Sequence, residues 1–99
     1  MSKFGELINT DVPVLLNFFT EWNEDSVSMH EVLRNVAAAL GDNAKIIKIN
    51  VDKNQELSDA LRIKGLPTLI IYKNTEMKWR QSGVQDSNAL ITLLHQYAR

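Results

Sequence analysis

A short polar stretch, from Thr20 to Ser26, carries the residue types of this sequence that are best suited to chemistry. It reads Thr-Glu-Trp-Asn-Glu-Asp-Ser, so hydroxyl, amide and carboxylate groups lie close together. A serine becomes a nucleophile only when a neighbouring base takes its proton. No histidine lies within the stretch, and His30 and His95 are interpreted as helix-surface residues. We therefore predict no catalytic residue, and we interpret Asn23 and Ser26 as inert polar loop residues.

Sulfur and metal chemistry are both disfavoured by the residue types present. The sequence contains no cysteine, which excludes disulfides, thiolate catalysis and thiolate metal sites. Glu24, Asp25 and Asp52 offer carboxylates to a cation, but solvated carboxylates are the simpler interpretation. Asp25 is also expected to cap a helix, which is worth about 1 kcal/mol. We predict no metal site and no cofactor.

Composition and charge limit the classes of partner. The formal net charge is −1, and lysine and arginine are scattered, which gives no footprint for nucleic acid or for an anionic membrane. No apolar run approaches the roughly 20 residues that span a bilayer. The segment Met1 to Asp11 lacks the basic and apolar regions of a signal peptide. We predict one domain over residues 1–99, a cytoplasmic location, and neither a nucleic-acid nor a membrane partner.

Hydrophobic periodicity predicts elements in the order α-β-α-β-α-β-β-α. The first strand, Val14 to Phe19, is almost continuously apolar, which is typical of a central strand covered on both faces. Asn17 is its polar exception, and a buried amide needs hydrogen-bond partners. Met29 and Met77 are interpreted as core residues. The predicted ranges are helices at 2–10, 25–40 and 54–62, strands at 14–19, 44–51, 69–72 and 77–82, and a final helix that starts at 86 or 87.

Five short motifs, in this order and spacing, resemble the thioredoxin family between about residues 13 and 99. They are Phe18-Phe19-Thr20-Glu21-Trp22, Asn50-Val51-Asp52, Gly65-Leu66-Pro67-Thr68, Lys73-Asn74 and Gly83. The resemblance implies an α/β fold, a thioredoxin-like three-layer sandwich whose mixed central sheet of about four strands is flanked by helices. It also implies a cis peptide bond between Leu66 and Pro67.

The departures from the family pattern lie in and beneath the polar stretch. On the resemblance, Asn23 and Ser26 occupy the positions of the family's two cysteines. Glu24 and Asp25 replace the glycine and proline between them, and Asn17 replaces a buried aspartate. We interpret the site as one rebuilt for stability rather than for redox exchange.

The family's N-terminal strand is missing, because the residues before Val14 have helical spacing. On the resemblance, that strand would pair with Ala44–Val51, so its loss leaves an apolar edge. An open edge invites pairing with another chain, unless Lys45, Lys48 or the N-terminal helix guards it. We therefore expect either a monomer or a weak homodimer.

Three functions remain open at this point. The first is a redox-inactive protein that binds a peptide or protein partner non-covalently at the cis-proline groove, which the resemblance assigns to Trp22, Leu66, Pro67, Gly83 and Val84. Trp22 is either a recognition surface or a partly buried lid. The first alternative is a thioredoxin-type protein-disulfide oxidoreductase, which requires that the native loop carries cysteines. The second alternative is a structural or assembly subunit that uses the exposed edge strand.

Overall fold

Residues 3–98 are described by the structure, a computed structural model, and they form the predicted succession of helices and strands. Two short 3-10 turns, Gly41–Asn43 and Val51–Lys53, follow the second helix and the second strand. The helices are α1 (Lys3–Ile8), α2 (Glu24–Leu40), α3 (Gln55–Ala60) and α4 (Ser87–Ala98). The strands are β1 (Val14–Phe19), β2 (Lys45–Asn50), β3 (Thr68–Lys73) and β4 (Glu76–Ser82).

The strands form one four-stranded sheet in the order β2-β1-β3-β4. β1 pairs in parallel with β2 and antiparallel with β3, and β3 pairs antiparallel with β4. β1 and β3 are therefore the central strands, which explains why both are almost continuously apolar. The mixed sheet of four strands confirms the fold class expected from the sequence.

Two apolar layers cover the two faces of the sheet, because successive side chains of a strand point to opposite sides. Leu15 of β1 belongs to the layer formed with α2 and α4, and Leu16 belongs to the opposite layer with α1 and α3. The buried residues of the α2/α4 layer are Leu15, Met29, Leu33, Val36, Leu40, Ala44, Leu69, Ile71, Leu90 and Leu94. Those of the α1/α3 layer are Ile8, Val14, Leu16, Phe18, Ile49, Ile70 and Tyr72.

The N-terminal segment forms α1 rather than a strand, as predicted. The Phe4 ring packs edge-on against Tyr72, with ring centroids 5.5 Å apart. The end of the segment is tied to the β3–β4 turn, since Asn74 and Thr75 donate backbone hydrogen bonds to Thr10 and Ile8 at 2.8 and 2.9 Å. Within residues 3–98, β2 has no strand neighbour on its outer side.

One core prediction is wrong: Met77 is 44% exposed. The register between β3 and β4 shifts between Ile71 and Tyr72, so Ile71 faces Trp79 whereas Tyr72 faces Met77. This bulge places Met77 and Trp79 on opposite faces of the sheet, although strict alternation would place them on one face. Trp79 packs against the α2/α4 layer, and Met77 is left at the surface.

None of the helices within residues 3–98 has the length and apolar character needed to cross a membrane.

Candidate functional site

The polar stretch lies at the carboxyl end of β1, where it turns into the first residues of α2. Asn23 is the N-cap of α2, and its Oδ1 accepts a hydrogen bond from the Ser26 amide at 2.9 Å. The prediction that Asp25 caps this helix is therefore wrong. Glu24 and Asp25 lie in the first turn instead, where their negative charge interacts favourably with the positive end of the helix dipole.

Trp22 stands clear of the fold, and its side chain is 89% exposed. The alternative in which Trp22 is a partly buried lid is therefore wrong. Its neighbours Glu21, Glu24 and Asp25 are also exposed, so the indole lies in an acidic surrounding. An indole combines a large apolar surface with one N–H donor, which suits it to recognition when it is left in solvent.

A buried threonine fixes the start of this loop. Thr20 donates a hydrogen bond from its Oγ1 to Oδ2 of Asp52 at 2.8 Å, which joins the end of β1 to the turn after β2. The Trp22 amide donates to the same hydroxyl at 3.5 Å. One carboxylate of the possible cation set is thus engaged by a hydroxyl. Within residues 3–98 no group of three or more histidine, cysteine, aspartate or glutamate side chains is arranged to hold a metal ion.

The second wall of the site is the segment that leads into β3. The peptide bond between Leu66 and Pro67 is cis, the geometry that the resemblance implies. Gly83 donates a backbone hydrogen bond to the Pro67 carbonyl at 2.7 Å, and the side chains of Thr68 and Ser82 lie 3.0 Å apart. Gly83 has φ +96, a conformation that other residues rarely adopt.

The side chain and the backbone of Leu66 have different surroundings. Its side chain packs on the α1/α3 layer. Its backbone N–H and C=O make no hydrogen bond to another described residue. Val84, just beyond Gly83, is 50% exposed.

The structure brings Pro67 and Gly83 into direct contact, with Leu66 and Val84 beside them in the chain. Trp22 belongs to the same end of the sheet, because Phe18 pairs with Thr68 and the Trp22 loop leaves β1 just beyond that pair. The indole makes no hydrogen bond within the part of the chain that is described. These residues therefore lie at one end of the sheet, where the resemblance places the cis-proline groove.

Sequence reasoning identified the buried amide of Asn17 but missed the burial of two polar side chains of α2, Ser26 and His30. Asn17 and Ser26 are both fully buried, and His30 lies half-buried against Phe19, with ring centroids 4.9 Å apart. The assignment of His30 to the helix surface is therefore wrong. Burial lowers the pKa of the His30 imidazole, the charge of Lys48 lowers it further, and Glu21 opposes both. The available signal was the four-residue spacing from Ser26 to His30, which places both on one helix face.

The second missed contact lies behind Val84. The Gln85 amide approaches the Met29 sulfur at 3.5 Å, so the Gly83–Gln85 segment rests on α2. Gln85 also donates from its side chain to the Gly83 carbonyl at 3.1 Å. These contacts hold the Gly83–Gln85 segment in place.

Sheet order, helix placement and the cis bond before Pro67 together define a thioredoxin fold. The family model described as Thioredoxin matches residues 1–96, and the chain belongs to the thioredoxin family.

Comparison with curated proteins gives the same result. The chain is 30% identical to the thioredoxin of Rickettsia bellii over 86 residues, which cover 87% of this chain and 82% of that protein. It is also 30% identical to the thioredoxin of Haemophilus influenzae, over 92% of this chain and 85% of that protein. Unlike an active thiol protein, this member has no cysteine anywhere in its sequence.

Solved structures agree with this assignment. A mutant thioredoxin from Halobacterium salinarum superposes with a TM-score of 0.87 at 28% identity, covering 100% of this chain and 86% of that chain. Chloroplastic thioredoxin z, whose structure is described as defining a type-specific target recognition, gives a TM-score of 0.84 at 28% identity, covering 92% of this chain and 82% of that chain.

Proposed function

We propose that this protein is a redox-inactive member of the thioredoxin family that binds an extended peptide or protein segment non-covalently in the groove beside Pro67. One observation carries the proposal: Trp22 is 89% exposed at the same end of the sheet as Leu66, whose backbone groups lack partners among the described residues. A large exposed apolar side chain beside free backbone groups is the arrangement that strand addition uses.

The backbone of Leu66 supports the binding mode. An extended segment laid along Leu66 accepts one hydrogen bond from the Leu66 N–H and donates one to the Leu66 C=O, as a further strand would. Trp22 and Val84 then contact side chains of the segment on either side, because both are exposed. Affinity depends on such central apolar anchors more than on the polar rim.

The absence of thiols determines the kinetics of binding. Thiol–disulfide exchange proceeds through a mixed disulfide, which needs an attacking thiolate. This sequence has no cysteine, so a complex in the groove is held by non-covalent contacts alone. We expect rapid, reversible binding that is indifferent to reductants.

Peptide arrays followed by fluorescence anisotropy test the proposal. Arrayed 15-residue peptides identify ligands, and the best ligand is then titrated with the parent protein and with variants. Trp22→Ala should weaken binding by at least about tenfold, the effect of losing a central aromatic anchor. Val84→Ser should weaken binding less than Trp22→Ala does, because the valine side chain is smaller than the tryptophan side chain.

Met77→Ala is the matched control, since Met77 is an exposed apolar residue of β4 that takes no part in the proposed groove. It should bind as the parent does. Equal weakening by Trp22→Ala and Met77→Ala, or no weakening by either, would rule the groove out as the binding surface.

The oxidoreductase alternative gives a separate observable. With no cysteine, the protein should leave the reduction of insulin by dithiothreitol at its uncatalysed rate at every protein concentration. A dose-dependent acceleration would contradict redox inactivity and would leave peptide binding to be judged on its own titration.

A further inference from the structure

All buried side-chain polar atoms that lack a partner among residues 3–98 belong to three residues. They are Nδ2 and Oδ1 of Asn17, Oγ of Ser26 and Nδ1 of His30. Buried polar groups are nearly always hydrogen-bonded, so four such atoms in one chain of this size require an explanation. Their concentration in three residues points to a single local cause.

The fold places the three residues at one interface, between β1 and α2. Asn17 points to the same side of the sheet as Leu15, because alternate residues of a strand share a face, and Leu15 packs on α2. Phe19 is the next residue on that face, and its ring meets His30 edge-on at 80°. Ser26 lies one helical turn before His30, on the buried side of α2.

We propose that this interface contains a buried hydration site, in which one or two water molecules bridge Asn17, Ser26 and His30. The site can satisfy the hydrogen bonding of a water completely. The Asn17 amide supplies a donor and an acceptor, the Ser26 hydroxyl supplies either, and a neutral imidazole Nδ1 accepts or donates according to its tautomer. Buried waters in proteins typically make about three such bonds.

A neutral ligand fits the charges around the site. No carboxylate or thiolate is among the unpartnered atoms. Lys48 is the register partner of Asn17 on β2, and its positive charge already disfavours a cation at His30. Asn17, Ser26 and neutral His30 therefore suit water rather than a metal ion.

The hydration site also accounts for the presence of an amide in a central strand. A dry interface would leave four polar atoms unpaired, each with an uncompensated desolvation cost. Water that bridges the three residues removes this cost and links β1 to the first turns of α2.

Nuclear magnetic resonance on the parent protein tests the proposal directly. We expect cross-relaxation between a long-lived water and the Asn17 side-chain NH2 protons. These protons should also exchange slowly with bulk solvent, because Asn17 is fully buried. Absence of a long-lived water signal at these protons would overturn the proposal.

Unfolding equilibria provide the second readout. If water bridges the three residues, Asn17→Leu removes its main anchor, and the folding equilibrium constant should fall about tenfold. Ser26→Ala should lower it by a smaller factor. If the interface is dry, Asn17→Leu removes two unpaired atoms and adds apolar surface, so the constant should rise, which would contradict the proposal.

Asn35→Leu is the matched control, because Asn35 is an exposed residue of α2 and the same side-chain change there leaves the interface intact. It should alter the constant by less than about threefold. Should Asn17→Leu fail to fold, the water signal of the parent protein decides the question.

Discussion

His30 is half-buried against Phe19, and its ionisation is linked to the stability of the fold. Burial and the charge of Lys48 lower the pKa of its imidazole below the usual 6.5, while Glu21 opposes them. The folded state therefore binds fewer protons than the unfolded state near and below that value. Stability due to neutral His30 is complete above about pH 6.5 and decreases as the pH falls through the lowered pKa of the folded protein.

We predict that the free energy of unfolding falls more steeply between about pH 7.5 and 5.5 for the parent protein than for a His30→Gln variant. Urea unfolding at several pH values measures the difference. His95→Gln, at an exposed position of α4, is the control and should follow the parent. Parallel profiles for the parent and His30→Gln would contradict the prediction.

Individual residues also show that a sequence pattern does not determine backbone conformation or packing. The sequence predicts Asp25 as the helix cap, but Asn23, Glu24 and Asp25 are all polar, and pattern alone does not decide among them. The backbone decides, because only Asn23 has extended φ and ψ of −113° and 121°. His30 reads as a surface residue in a helical pattern, and only the packing of α2 on Phe19 buries its ring edge.

Among the elements, β2 offers the clearest route to association. The Lys45 amide donates to the Pro13 carbonyl at 2.9 Å, so it points toward the β1 side. Alternate residues of a strand direct their backbone groups to opposite sides, so Ile46 and Lys48 direct theirs outward. An antiparallel pair centred on Ile47 would place Ile46 opposite Lys48 and would avoid facing lysines.

We predict weak, reversible self-association through this edge, observable by light scattering over a hundredfold concentration range. Lys48→Pro removes an outward amide at an exposed position and should give a folded monomer. Lys48→Ala keeps that amide and removes the guarding charge, so it should associate at least as strongly as the parent. A parent protein that remains monomeric throughout, together with a monomeric Lys48→Ala, would exclude the edge as an interface.

The strands and long helices were predictable, because their residues repeat with the period of their element. β1 is apolar except for Asn17, β3 is apolar from Leu69 to Tyr72, and α2 and α4 have buried residues at helical spacing. Met77 was not predictable in the same way, since the bulge beside Tyr72 carries no local sequence signal. The absence of a strand before β1 was predictable from helical spacing at Phe4 and Leu7.

For the molecule as a whole, the fold and the thiol chemistry are separable, and cysteine substitution tests this. Asn23 is a partly exposed helix cap and Ser26 is fully buried one turn on. A thiol at a helix N-terminus has a lowered pKa, although the charges of Glu24 and Asp25 oppose that effect. We predict that Asn23→Cys with Ser26→Cys forms a disulfide and accelerates insulin reduction by dithiothreitol.

Further replacement of Glu24 by glycine and Asp25 by proline should increase that rate, because it removes two negative charges from the neighbourhood of the attacking thiolate. The single variant Asn23→Cys is the control, since without a second thiol it forms mixed disulfides and does not turn over. Failure of the double variant to form its disulfide would show that the loop itself, and not only its side chains, has changed.

The groove was predictable only through the resemblance to thioredoxins. Trp22, Leu66 and Val84 lie far apart in the chain, and their periodicity gives no sign that they meet at one end of the sheet. The four-residue spacing puts Ser26 and His30 on one helix face, but the packing of that face against β1 beside Asn17 was not predictable, because it depends on how α2 sits on β1. Local patterns determine elements, whereas a site depends on the angles and distances between them.

The exposure of Trp22 also gives this protein two optically distinct indoles. Trp22 is surrounded by water, whereas Trp79 packs against the α2/α4 layer. Fluorescence of Trp22 should lie to the red of that of Trp79 and be open to collisional quenchers. Because Glu21, Glu24 and Asp25 surround it, caesium ions should quench it more readily than iodide. A ligand in the groove would shield Trp22 from quenchers and leave the emission of Trp79 unchanged, so the molecule carries its own reporter of occupancy.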